Sequence, residues 1–102
     1  MSFDGALVRK DFPIFDRHID DAPIVYLDSA NTAQKPRQVI DAMSSFMETS
    51  YAPINRSAYR LAAEATDAFE GARTKVARFI NARSADEVVF TKNATESLNL
   101  VA

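Results

Sequence analysis

A chain of 102 residues, 47% apolar and 25% charged, has the content of one globular domain, which excludes an intrinsically disordered segment. Its 12 Lys and Arg against 14 Asp and Glu give a net charge of −2 with the basic residues scattered, so it carries no electrostatic footprint for nucleic acid or an anionic membrane. With no cysteine and a single histidine, His18, it holds no disulfide framework, no cysteine nucleophile and no histidine-rich metal site.

Residues 6–12 form the first expected helix, with Leu7, Val8 and Phe12 on one side. Pro13 ends it, because the residue before a proline avoids the helical region. Residues 15–19 carry no decisive pattern, and Asp20-Asp21-Ala22-Pro23 signals a turn. Ile24-Val25-Tyr26-Leu27 is the first expected strand, followed by a polar loop, Asp28-Ser29-Ala30-Asn31-Thr32. Pro36 stands at the first position of the second helix, where its missing N–H costs nothing. Val39, Ile40, Met43, Phe46 and Met47 keep a three-to-four spacing that carries this helix to about Thr49. After an irregular stretch, the longest helix is expected over residues 57–80. Ala62, Ala65, Phe69, Ala72, Val76, Phe79 and Ile80 mark its apolar face, and Gly71 is its weak spot. Asn81-Ala82-Arg83 ends it.

Residues 84–102 are the most informative. Val88-Val89-Phe90 has the length and composition of a short buried strand. Asn93 and Glu96 then fit a capping box, with Leu98, Val101 and Ala102 at helical spacing behind it. Such a helix N-terminus presents the amides of Ala94 and Thr95, the Thr95 hydroxyl and the positive end of the helix dipole to a phosphate or carboxylate. A capped helix that binds nothing is the commoner outcome of this pattern, and no Gly-rich loop accompanies it, so both outcomes stay open at this point. The last helix has no stop signal before Ala102, and two short strands need sheet partners, so the chain is expected to be the front of a longer protein. No apolar run is long enough to cross a membrane and no signal-peptide pattern opens the chain, so a cytoplasmic location is expected.

Three segments, in order and in register, carry a family resemblance. Tyr26-Leu27-Asp28-Ser29-Ala30-Asn31-Thr32-Ala33-Gln34-Lys35-Pro36 closely resembles a loop motif of the Suf-type cysteine desulfurases, which are class V aminotransferases. Residues 79–101 resemble the stretch through that family's phosphate-binding turn, and Val8-Arg9-Lys10-Asp11-Phe12-Pro13-Ile14 its opening helix. The resemblance implies an α/β chain that is the N-terminal portion of a fold type I transferase dependent on pyridoxal 5′-phosphate (PLP). Residues 1–35 would be an arm and loop, 36–83 two helices, and 84–102 the strand–turn–helix that begins the large domain. It implies a homodimer, several-fold longer than this chain, that takes sulfur from L-cysteine, leaves L-alanine, and passes a persulfide to an acceptor protein for iron–sulfur cluster assembly. It places Ala94 and Thr95 at the PLP phosphate and Ala30 in a loop lining the substrate pocket. The lysine that holds the cofactor and the cysteine nucleophile would lie outside these residues, and Lys35 and Lys92 are read as solvated loop lysines. Asp28 is read as a turn cap.

The family carries His-Arg-Gly-x-His near its active site and dimer interface, where this chain has Asn55-Arg56-Ser57-Ala58-Tyr59. That correspondence assigns Asn55 and Arg56 to the substrate pocket and keeps only Arg56 of the motif. A different class V enzyme, such as a selenocysteine lyase or an epimerase-like protein, would keep the scaffold with other loop chemistry. A non-catalytic helical interaction module is the alternative outside enzymes.

Overall fold

Asp4 starts the first helix: its carboxylate accepts from the amides of Ala6 (3.0 Å) and Leu7 (3.2 Å), satisfying donors that a helix start leaves free. The computed structural model describes residues 2–55 and 58–102, in two compact units, Met1–Ser50 and Tyr51–Ala102. Arg56, and the helix start expected at Ser57, lie outside the described residues.

In the first unit, α1 is Gly5–Arg9, shorter than the expected 6–12. The chain continues to Phe12 through tighter turns, with Lys10 N–H on Leu7 O (3.2 Å), Asp11 N–H on Val8 O (3.0 Å) and Phe12 N–H on Arg9 O (3.1 Å). Pro13 opens a 3-10 turn, Pro13–Asp16, rather than only closing a helix. The predicted turn at residues 20–23 is the tip of a small hairpin, with β1 (His18–Ile19) antiparallel to β2 (Ala22–Pro23) and His18 opposite Pro23. Asp20 and Asp21 both have positive φ (52° and 61°), as a two-residue hairpin loop with the right-handed strand twist requires. The strand expected at residues 24–27 makes no ladder among the described residues. A strand is a paired state, and these apolar residues have no paired neighbour; Val25 and Leu27 are exposed.

Helix α2 is Arg37–Thr49, ending where its apolar period predicts. Pro36 sits one step earlier than expected, as the extended N-cap (ψ 161°), and its carbonyl accepts from Val39 (3.0 Å) and Ile40 (3.2 Å). Thr49 folds its hydroxyl back onto Ser45 O at 2.6 Å, as helix-end threonines do.

In the second unit, α3 is Arg60–Phe79. An exposed ion pair, Arg60 to Glu64 at 2.7 Å, supports its first turn; the hydrogen bond and charge of Glu64 raise the Arg60 pKa. Buried residues follow Ala62, Ala65 and Ala77, with Phe69 and Arg73 half-buried between them. The expected face was right as far as Phe69 and then diverges. Ala72 lies at the edge of this stripe, and Phe79 about a quarter-turn from its centre at 3.6 residues per turn; both are exposed. Arg73 occupies the stripe instead, because its long stem and planar head can cover apolar surface.

The end of α3 is a Schellman motif. Asn81 takes the left-handed conformation (φ 58°), Ala82 N–H bonds Ala77 O (2.8 Å) and Asn81 N–H bonds Arg78 O (3.2 Å). Ser84 caps a short 3-10 turn, Ala85–Glu87, through Asp86 N–H at 3.1 Å. Residues 88–90, expected as a strand, again have no ladder among the described residues, although Val88 is extended and buried. The final helix, α4, is Ala94–Val101.

Candidate functional site

The N-terminus of α4 forms as its sequence predicts. Asn93 is the N-cap, and its Oδ1 accepts from Glu96 N–H at 2.8 Å. The return arm of the box differs from expectation: Glu96 Oε2 accepts from Lys92 N–H at 3.1 Å, one residue before the cap. Thr91 adds a clasp, with its Oγ1 2.6 Å from Ser97 Oγ and 3.2 Å from Asn93 O. No local signal in the sequence marks this Thr91–Ser97 contact, since it depends on the turn having already formed.

The cap consumes the Glu96 amide and leaves the amides of Ala94 and Thr95 with no partner among the described residues. Thr95 is exposed, and its hydroxyl is likewise unengaged there. The partial positive charge of a helix N-terminus, roughly half a unit charge, falls on these same groups. This donor set fits a phosphate group, which offers only acceptor oxygens and negative charge. It contains nothing that would hold an aromatic ring, so the fit is to the phosphate end of a cofactor alone.

The other predicted residues are placed differently. Ala30 belongs to the first unit, in a turn built on Asp28. Asn31 and Thr32 donate their amides to Asp28 O (3.1 and 3.2 Å), Asn31 Nδ2 donates to Asp28 Oδ1 (2.8 Å), and the Tyr26 hydroxyl donates to Thr32 O (2.5 Å). Asp28 thus has the turn-capping role expected of it. Asn55 belongs to the second unit, where its carbonyl accepts from the Thr66 hydroxyl of α3 at 2.9 Å. The Lys35 ammonium donates to Ala33 O in its own loop. Among the described residues no group of His, Asp or Glu is arranged to hold a metal ion, and no helix is long and apolar enough to cross a membrane.

Comparison with known proteins agrees with this placement of elements. Residues 25–102 match the family model described as aminotransferase class-V. The chain is 60% identical over 100 residues to a probable cysteine desulfurase of Streptomyces coelicolor, covering 97% of this chain and 24% of that protein. It is 51% identical over 102 residues to a cysteine desulfurase of Salmonella newport, covering 100% of this chain and 25% of that protein. A solved apo structure of the cysteine desulfurase from Thermococcus onnurineus NA1 superposes with a TM-score of 0.83 at 37% identity, over 99% of this chain and 24% of that one. The chain therefore spans about a quarter of the length of the relatives it matches. With a family model over most of its residues and the fold of a solved member, the chain belongs to the class V aminotransferase family.

Proposed function

We propose that the protein carrying this chain is a PLP-dependent cysteine desulfurase acting on L-cysteine. The observation that carries this reading is the 60% identity to a probable cysteine desulfurase across almost the whole chain. The unpartnered donors at the start of α4 support it. Ala94 and Thr95 would hold the cofactor's phosphate, by two backbone N–H groups and a hydroxyl. Ala30, Asn55 and Arg56 would line the substrate pocket. Bound PLP supplies an electron sink for bond changes next to the amino group of the substrate. This chain's part is to anchor and orient that group. Sulfur would pass from L-cysteine to an enzyme thiol, leaving L-alanine and a persulfide, and that thiol is not among these residues because the chain has no cysteine. The working enzyme would be a cytoplasmic homodimer supplying sulfur, through an acceptor protein, for iron–sulfur cluster assembly. Residues 1–35 would be its arm and loop, 36–83 two helices, and 84–102 the entry to its large domain.

The test is turnover by the full-length protein reconstituted with PLP, scoring L-alanine from L-cysteine and sulfide released by added thiol. Stoichiometric alanine and sulfide are expected. Turnover of selenocysteine alone, or of neither substrate above a PLP-only control, would overturn the assignment.

A further inference from the structure

We propose that Arg73 is a positioning residue for the phosphate turn, acting through the 88–90 segment; this rests on the reading of Ala94 and Thr95 given above. Arg73 stands in the buried stripe of α3 with its side chain only 21% exposed. Its guanidinium is shared by four groups. Nη1 donates to the carbonyl of Val88, Nε pairs with Glu70 Oε2 at 3.1 Å, and the planar head lies 5.2 Å from the Phe69 ring centroid and 5.0 Å from that of Phe90. Phe69 and Phe90 meet edge to face, with centroids 5.2 Å apart and planes at 68°. Glu70 engages one edge of the guanidinium and Phe69 its other surroundings, both from the same helix, so the head is held against α3.

What it touches is the segment that delivers the phosphate donors. Val88 is extended and buried, two residues before Phe90. Arg73 holds this segment by one hydrogen bond and one ring contact, at alternate residues, Val88 and Phe90. Beyond Phe90 the Thr91–Ser97 clasp and the Asn93 cap join the segment to α4 without a free joint. The amides of Ala94 and Thr95 are therefore referenced to α3 through Arg73. Anion binding by backbone amides depends on their direction, and misdirected donors lose most of their hydrogen-bond strength. A lysine at this position keeps the charge but can neither present a planar face to both rings nor divide its donors between Val88 and Glu70 in a fixed fork.

The experiment uses the full-length protein, stripped of PLP and retitrated, with Arg73→Lys, Arg73→Gln, Thr95→Ala and the Arg73→Gln/Thr95→Ala double variant. Three quantities are read: PLP affinity of the folded apoprotein, affinity for pyridoxal lacking the phosphate, and amide exchange over residues 88–96 before cofactor is added. Both Arg73 variants should weaken PLP binding by about three- to tenfold, the scale of one hydrogen bond and its orientation, with pyridoxal binding unchanged. Exchange over 88–96 should quicken in the apoprotein. The double variant should lose less than the product of the single losses, because both act on one contact. Should Arg73→Gln fail to fold, Arg73→Lys carries the test. Unchanged PLP affinity in a folded Arg73 variant overturns the proposal, as does equal weakening toward pyridoxal, which marks a general structural role. An unaffected Thr95→Ala removes the phosphate reading itself, and the proposal with it.

Discussion

Two arginines do the same work in the two units. Arg9 donates to the carbonyl of Ile24 at 2.7 Å and lies over the Phe15 ring at 4.1 Å; Arg73 donates to the carbonyl of Val88 and lies over Phe69 and Phe90. Each carbonyl belongs to the first residue of an apolar run that forms no ladder among the described residues. An arginine head can satisfy an orphan carbonyl and cover a ring at once, which an aliphatic side chain cannot. At Thr95 the single atom that matters is the hydroxyl. In the full-length protein, Thr95→Ala should weaken PLP binding about ten- to hundredfold, the roughly 1.5–3 kcal/mol of a hydrogen bond to a charged group. The amides and dipole remain, so binding should persist. The check is a PLP titration beside a melt of the apoprotein. If Thr95 were only an exposed helix residue, its replacement would leave PLP affinity unchanged and shift stability by no more than about 0.5 kcal/mol.

At the scale of elements, helix ends carry the most local information. Asn81 holds a left-handed backbone that β-branched residues resist, so Asn81→Val in the full-length protein should cost about 1–2 kcal/mol and Asn81→Gly should be near neutral, as read from thermal or denaturant midpoints. Gly71 is the opposite case: a Cβ placed there meets nothing within 4 Å. Gly71→Ala should therefore raise the helix content of the 102-residue chain in far-UV circular dichroism, through a propensity gain of about 0.5–1 kcal/mol. The ends of α2 and α3 and the cap of α4 were legible because their signals lie within a few residues of the event. The segments at 24–27 and 88–90 have strand composition but no ladder among the described residues, because a ladder depends on a partner that is distant in sequence. The later half of the α3 face departs from its apolar period because Arg73, a charged residue, fills the stripe. The candidate site divides in the same way. Ala94 and Thr95 follow from a local capping pattern, whereas Ala30 and Asn55 sit in irregular loops with no local signal, and only the family resemblance points to them.

At the scale of the whole chain, burial is the governing quantity. Among the described residues the buried apolar side chains are Ala62, Ala65, Ala77 and Val88, all small. Phe79, Leu27 and Val101 are each close to fully exposed, at 91%, 91% and 88%. Fully burying a large apolar side chain contributes about 1.5–3 kcal/mol, whereas ordering each residue costs about 1–2 kcal/mol of backbone entropy. Alanines recover little of that cost, so the helices here depend on apolar surface that these residues do not cover for themselves. The 102-residue chain made alone should therefore show a broad thermal transition and concentration-dependent association, since uncovered apolar faces and unpaired backbone both recruit other chains. It should also release no sulfide from L-cysteine with added PLP beyond a PLP-only blank, because it has no thiol to receive sulfur. Sedimentation velocity over a concentration series, circular dichroism on heating and a sulfide assay check these outcomes together. A sharp, cooperative transition in a monodisperse monomer would show that the small core suffices, and sulfide above the blank would require a sulfur-transfer route that uses no cysteine of this chain.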